Sequence, residues 1–244
     1  MSESKRKILV LVEGARTDAR LMERLLTIYN FDIKYEIISY GTNIYTLYGE
    51  MFNENDPSKV DLLQLLKERE PDPNKKLIFD ILYTDILLIF DLEPHAPDFS
   101  PEKIRRMADY FVESSDMGKL YLNYPMVEAF YHMSSIPDGQ YDNRFATLEE
   151  LKAGTYKMRV NQENRNHDYS KFAANRAECN IVIQQNINKA QSITHEGNDP
   201  EYLPGQAHIL TAQLALLTEK RKVAVLSTCP FFIPDYNPEL IQHE

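Results

Sequence analysis

Apolar and polar positions follow two periods along this chain. After Lys7 the run Ile-Leu-Val-Leu-Val reaches Val12 without a polar residue and stops at Glu13-Gly14, the pattern of a buried strand closing in a turn. Thr17-Asp18 then offers a cap for a helix whose apolar positions Leu21, Met22, Leu25 and Leu26 share one face. A second strand fits Tyr35 to Ser39, followed by Gly41-Thr42-Asn43 as turn and cap and by a helix to about Phe52. Residues 53–58 read as a loop, and Val60, Leu62, Leu63, Leu65 and Leu66 as an amphipathic helix that stops before Pro71. Asp85-Ile-Leu-Leu-Ile-Phe-Asp91 is apolar between its terminal acids, as expected of a central strand covered on both faces. Ser100-Pro101-Glu102 places an N-cap and a first-turn proline before Ile104, Met107, Ala108 and Phe111, and Lys119 to Asn123 reads as a fourth strand.

This order predicts an α/β fold, a mostly parallel sheet flanked by helices, over residues 1–125. Residues 126–244 read as a mostly helical C-terminal region packed on that core. Its helical stretches are near Val127, at Glu149 to Leu151, at 172–190 and at 206–219, with a loop from Asn198 to Gly205. Val223 to Leu226 fits either a last strand or a buried helix end. No repeat or low-complexity tract interrupts the pattern.

Composition narrows the function classes. No apolar run approaches the roughly 20 residues that cross a bilayer, and the polar start before Lys7 lacks the apolar stretch of a secretory signal, so a cytoplasmic protein with no membrane partner is expected. Cys179 and Cys229 stand far apart without a CxxC and read as buried thiols. The net charge of -10 speaks against a nonspecific coat on nucleic acid, whose binding depends on neutralising phosphates. Residues 155–190 nevertheless carry six cations, among them Arg159, Arg165, Lys171 and Arg176, against three acids. Together with Tyr169 and several amides they form a mixture suited to phosphates and bases, and equally an ordinary polar surface.

The acids at the strand ends carry the candidate chemistry. Glu13 follows the first strand and Asp91 and Glu93 follow the central one, so all three are expected at the edge where ligands of parallel sheets bind. Read as extended, Asp91 and Glu93 point their carboxylates the same way, an arrangement that suits Mg²⁺ or Mn²⁺ held by carboxylates, phosphate oxygens and water. Crowding among the three is expected to raise a carboxyl pKa unless a cation is present. His95 and Asp98 read as surface loop residues and His132 as a packed one. P-loop, GxSxG and HExxH motifs are absent from the sequence.

Val12-Glu13-Gly14-Ala15-Arg16-Thr17-Asp18 and Phe90-Asp91-Leu92-Glu93 resemble the two acidic motifs of Toprim domains, with Glu in the third place of the family's DxD element. The spacing is similar to that of small defence-associated Toprim nucleases of the abortive-infection and OLD-like groups, and Asn123-Tyr124-Pro125-Met126-Val127-Glu128 loosely resembles a further element of those proteins. The resemblance covers roughly residues 7–132. It implies a Mg²⁺-dependent nuclease (Mn²⁺ substituting) that hydrolyses phosphodiester bonds of DNA or RNA in antiviral defence. Glu13 would then serve as acid or base, and Asp91 and Glu93 as metal ligands. Glu13 and Glu128 would be further ligands. Apart from the resemblance, Arg16 in the first helical turn and Arg159, Arg165, Lys171 and Arg176 of the basic stretch are the candidate contacts to nucleic acid. The alternative is a catalytically silent Toprim-like subunit that binds a partner ATPase or a phage protein. A homo-oligomer is compatible with either.

Overall fold

A computed structural model describes residues 6–30, 33–52, 56–195 and 202–241. The expected loops at 53–58 and 198–205 therefore lie partly outside the described residues. The chain runs β1 (Lys7–Val12), α1 (Thr17–Ile28), β2 (Lys34–Ser39), α2 (Ile44–Phe52), α3 (Leu62–Arg69), α4 (Pro73–Lys76) and β3 (Asp85–Asp91). It continues with α5 (Pro101–Tyr110), β4 (Val112–Glu113), β5 (Gly118–Tyr124), a 3₁₀ turn at Val127–Tyr131, β6 (Phe145–Thr147), α6 (Leu148–Lys152) and α7 (Tyr156–Glu163). Last come α8 (Arg176–Thr194), α9 (Gln206–Lys220), β7 (Lys222–Ala224), β8 (Leu226–Ser227) and α10 (Phe232–Tyr236).

The expected mixed α/β architecture is present, a central sheet flanked by helices with a helical C-terminal region. Strands are ordered β2-β1-β3-β5-β4, with β2, β1, β3 and β5 parallel and β4 antiparallel at the edge. β1 and β3 sit centrally, which explains their unbroken apolar runs: Leu9 to Val12 and Leu88 to Phe90 are fully buried. The chain leaves β1 toward β2 on one side and later adds β3 on the other. In open parallel sheets such a reversal marks the crevice beyond the carboxyl ends of the two strands as the place where ligands bind, and Glu13 and Asp91 stand at that edge.

Local chemistry sets the start of α5 as the sequence suggests, whereas Thr17 and Asp18 do not cap α1: they lie inside its first turn, with Arg16 at the N-cap and no side-chain cap. The Ser100 hydroxyl caps α5 by accepting from the Lys103 N–H, and Asp61 caps α3 by accepting from the Gln64 N–H. α8 begins at Arg176, four residues later than its apolar pattern implies, because Ala173 takes a left-handed conformation (φ 47°) and Asn175 accepts from the Glu178 N–H as the cap.

The C-terminal region also completes the core sheet. β8 pairs antiparallel with the end of β5, and β6 and β7 form a small ribbon of their own. The Val223 to Leu226 stretch thus divides between two strands, and the turn after Pro125 is 3₁₀ instead of α-helical. Asn186 ties the C-terminal region together by accepting from both the Tyr141 hydroxyl and the Ser227 N–H, and Thr228 joins it to the core by donating to the Leu122 carbonyl of β5. Both cysteines are buried free thiols. Among the described residues no helix is long and apolar enough to cross a membrane.

Candidate functional site

The crevice between β1 and β3 gathers carboxylates from distant parts of the chain. Glu13 extends the pairing of β1 by donating its N–H to the Ile89 carbonyl, and its Oε2 accepts from the Asp91 N–H at 3.2 Å. Asp91 closes β3 with 6% of its surface exposed, and its Oδ1 accepts from the Asn123 side-chain amide at 3.2 Å. Asn123 is held in turn by the Ser227 hydroxyl on β8, at 2.9 Å. The resemblance around Asn123 to Glu128 therefore falls on residues that do meet the acidic edge.

Asp18 was read from sequence as part of a helix cap; the structure assigns it to the site. The residue lies in the first turn of α1, only 6% exposed, and its carboxylate rests over Gly14. A Cβ at position 14 would come within 2.6 Å of Asp18 Oδ2, so glycine is what admits the carboxylate at this place. Gly14→Ala is accordingly expected to displace Asp18 and weaken divalent-cation binding by about 10- to 100-fold. The flexible end of one side chain is all that must move, so thermal unfolding should change little; titration calorimetry and a melting curve check the two halves.

Glu93 departs from the extended geometry that alternation implies. Its φ is 42°, with its N–H donating to the Pro125 carbonyl, so it turns in a left-handed conformation after Asp91 and Leu92. The parallel aim of Asp91 and Glu93 argued from alternation is corrected here; the proximity survives, since the Glu93 charge acts on Glu13. A left-handed non-glycine residue costs about 1–2 kcal/mol. Glu93→Gly is expected to raise the melting temperature by about 2–4 °C per kcal/mol recovered while weakening cation binding. A melting curve and a cation titration on the same variant would show the opposed effects.

Glu128 enters from the 3₁₀ turn after β5, 4% exposed. Its Oε1 pairs with Lys157 on α7 at 3.2 Å, and its Oε2 has no hydrogen-bond partner. Asp18 Oδ1 is likewise buried and unpartnered. Two orphaned carboxylate oxygens in one crevice are costly unless a cation satisfies them.

The electrostatics show how closely these groups are joined. Burial, then the Glu93 charge, pushes Glu13 up to about 8, with the Asp91 N–H and then Asp18 acting in opposite senses. Burial pushes Asp18 up to about 6 against the pull of its own N–H, with Glu128 adding to the rise. Asp91 lies well above the usual carboxylate range, through burial first and then through Glu13, Asp18 and Glu128. Burial works against the Lys157 ammonium, yet Glu128, Asp91 and Asp18 outweigh it and raise its pKa. Lys157, like Asp18, stands with the acidic group although the sequence reading did not place it there. Nothing local marks it among the six cations of its stretch.

Among the described residues no three His, Cys, Asp or Glu side chains stand close enough together to hold a metal ion as they are placed. Glu13 turns an oxygen to the Asp91 N–H and Glu128 one to Lys157. The donor set still fits a hard divalent cation in chemistry, being carboxylate oxygens, two of them unpartnered.

The expected nucleic-acid contacts do not converge as the acids do. Arg16 is exposed at the start of α1, beside the crevice in sequence. Arg159 pairs with Glu150 at 3.0 Å and donates to the Phe145 carbonyl. Arg165 pairs with Glu178 at 2.8 Å, Lys171 with Asp168 at 3.6 Å, and Arg176 donates to the Leu240 carbonyl while lying over the Tyr29 ring. No protein-family model, curated protein or solved structure matches this chain.

Proposed function

We propose that this protein is a Toprim-type, Mg²⁺- or Mn²⁺-dependent nuclease that hydrolyses phosphodiester bonds of DNA or RNA at the β1–β3 crevice. The observation that carries the reading is the pair of buried carboxylate oxygens without partners, on Asp18 and Glu128, whose charges act on Asp91 beside Glu13 at the strand ends. Glu93 and Lys157 complete the group. The strand order and the Glu-Gly spacing over Asp18 support the family assignment. A place in cytoplasmic antiviral defence follows from the family assignment alone and is proposed with it.

Asp91, Glu93, Asp18 and Glu128 would hold the cation, whose contribution when bound is Lewis-acid stabilisation of charge on the phosphoryl group. In the metal-free chain burial and the Glu93 charge raise the Glu13 pKa to about 8; with the cation neutralising the neighbouring acids, Glu13 would be the carboxyl left to take or give a proton at the reacting oxygen. Lys157 is 60% exposed and opens toward solvent, so its ammonium would be available to an incoming phosphate oxygen.

The test is cleavage of plasmid DNA and of total tRNA by the purified protein in Mn²⁺ and in Mg²⁺. Wild-type protein is expected to cut one of them, Glu13→Ala to lose at least about 100-fold, and Lys157→Ala about 10- to 1000-fold, the range for removing one stabilising donor. A second reading, a silent subunit that binds a partner ATPase or a phage protein, is favoured by the charge of -10 and by the local pairing of Arg165 and Lys171. Absence of cutting with every metal and substrate would move the assignment to it.

A further inference from the structure

We infer that His132 is a positioning residue that fixes Lys157 against Glu128 by holding the first turn of α7. The inference deepens the reading of the crevice as a catalytic site and rests on it for its functional meaning. His132 follows directly on the 3₁₀ turn that carries Glu128 and is fully buried. Its ring reaches both ends of α7: Nδ1 is 3.2 Å from the hydroxyl of Tyr156, the first residue, and Nε2 is 2.9 Å from Oε2 of Glu163, the last. Both contacts are satisfied by one neutral tautomer, Nε2–H donating to the carboxylate and Nδ1 accepting from the phenol. Burial favours that neutral ring by pulling its pKa down to about 4.

The two ends of α7 are not held equally. At the C-terminal end the Asn164 side chain also donates to the Tyr131 carbonyl, the Arg165 N–H donates to Met133, and Arg144 bonds Glu163. At the N-terminal end no side chain caps the helix; Thr155 donates its N–H and its hydroxyl to the Glu150 carbonyl and Arg159 pairs with Glu150, while the Tyr156 hydroxyl bonds His132 and so ties this turn to the segment that carries Glu128. Lys157 is the next residue. The path from Glu128 through His132 and Tyr156 to Lys157 therefore closes a loop whose last contact is the 3.2 Å ion pair in the crevice. An exposed lysine pair contributes little by itself, so the placement of Lys157 depends on the turn that carries it.

Zero-length carbodiimide cross-linking on the full chain, read by peptide mass spectrometry, tests this without requiring activity. The wild-type protein is expected to yield the Glu128–Lys157 isopeptide. Tyr156→Phe, which removes only the hydroxyl, and His132→Leu should each lower that yield roughly fivefold, the weight of one buried hydrogen bond. His132→Asn, whose Oδ1 restores an acceptor for the Tyr156 hydroxyl, should recover part of it. The remote Lys119–Asp235 pair, 2.7 Å apart, serves as internal control and should link equally in every variant. An unchanged 128–157 yield in both Tyr156→Phe and His132→Leu, with the control intact, would overturn the inference, as would its absence from the wild type. In the cleavage assay, His132→Leu should add no further loss in a Lys157→Ala background, and an additive loss would contradict action through Lys157. If the cross-links behave as expected and no metal-dependent cutting is found, the nuclease reading fails and the positioning role stands.

Discussion

Asp91→Asn is expected to abolish metal-dependent cleavage and, in metal-free protein, to raise stability. The lost ligand should cost more than the roughly 10- to 100-fold typical of outer-sphere changes at metal sites. The amide oxygen would still accept from Asn123, so the fold keeps its hydrogen bond while a carboxylate crowded by Glu13, Asp18 and Glu128 is removed. The stability gain should vanish below about pH 3, where a carboxyl at this position is protonated in folded and unfolded chains alike. It should grow as pH rises. Melting temperatures of wild type and variant measured from pH 3 to pH 8 in a chelating buffer check this, and parallel curves would contradict it.

The second large effect concerns the wild-type protein. Glu13, Asp18 and Asp91 all have folded pKa values above their ordinary ones, so between the two values the folded state binds more protons than the unfolded state. Each group then contributes stability that is full below its unfolded pKa and is lost as pH rises toward its folded pKa, at about 1.4 kcal/mol per pH unit per proton. Metal-free protein should lose stability from about pH 4.5 upward, through about 6 for Asp18 and about 8 for Glu13. Millimolar Mg²⁺ or Mn²⁺ should reverse the loss most strongly at the alkaline end, because a cation binds the ionised cluster and only in the folded chain. A metal-free melting temperature that is flat over this range would show that the carboxylates are not coupled as described.

The elements most legible in the sequence were those specified locally. β1 with Glu13-Gly14, β3 with Asp91, and α5 behind the Ser100 cap announce themselves within a few residues, and the structure places all three as read. The meeting of Glu13 with Asp91 was also legible, since parallel strands bring their carboxyl ends to one edge. Other features depend on contacts between distant segments. Lys157 reaches Glu128 only because α7 folds back under the 3₁₀ turn, and no periodicity in residues 155–165 encodes that return. Asp18 looked like a capping acid because Thr-Asp before an apolar helix usually is one. Its burial over Gly14 follows from the closeness of α1 to the crevice. β8 is two residues long, too short for any alternation to show, and its place beside β5 is fixed by pairing with Asn123 and Tyr124. Glu93 misled because alternation holds only while a strand continues, and the strand ends at Asp91.

Titration of metal-free protein with Mn²⁺ at pH 7.5, followed by the loss of the free-ion electron paramagnetic resonance signal, tests the central claim most directly. The account predicts saturable binding of at least one Mn²⁺ per chain with release of protons, weakened by about 10-fold or more in Asp91→Asn and in Glu128→Gln. Mn²⁺ that remains free at millimolar protein, or binding untouched by both substitutions, would contradict it.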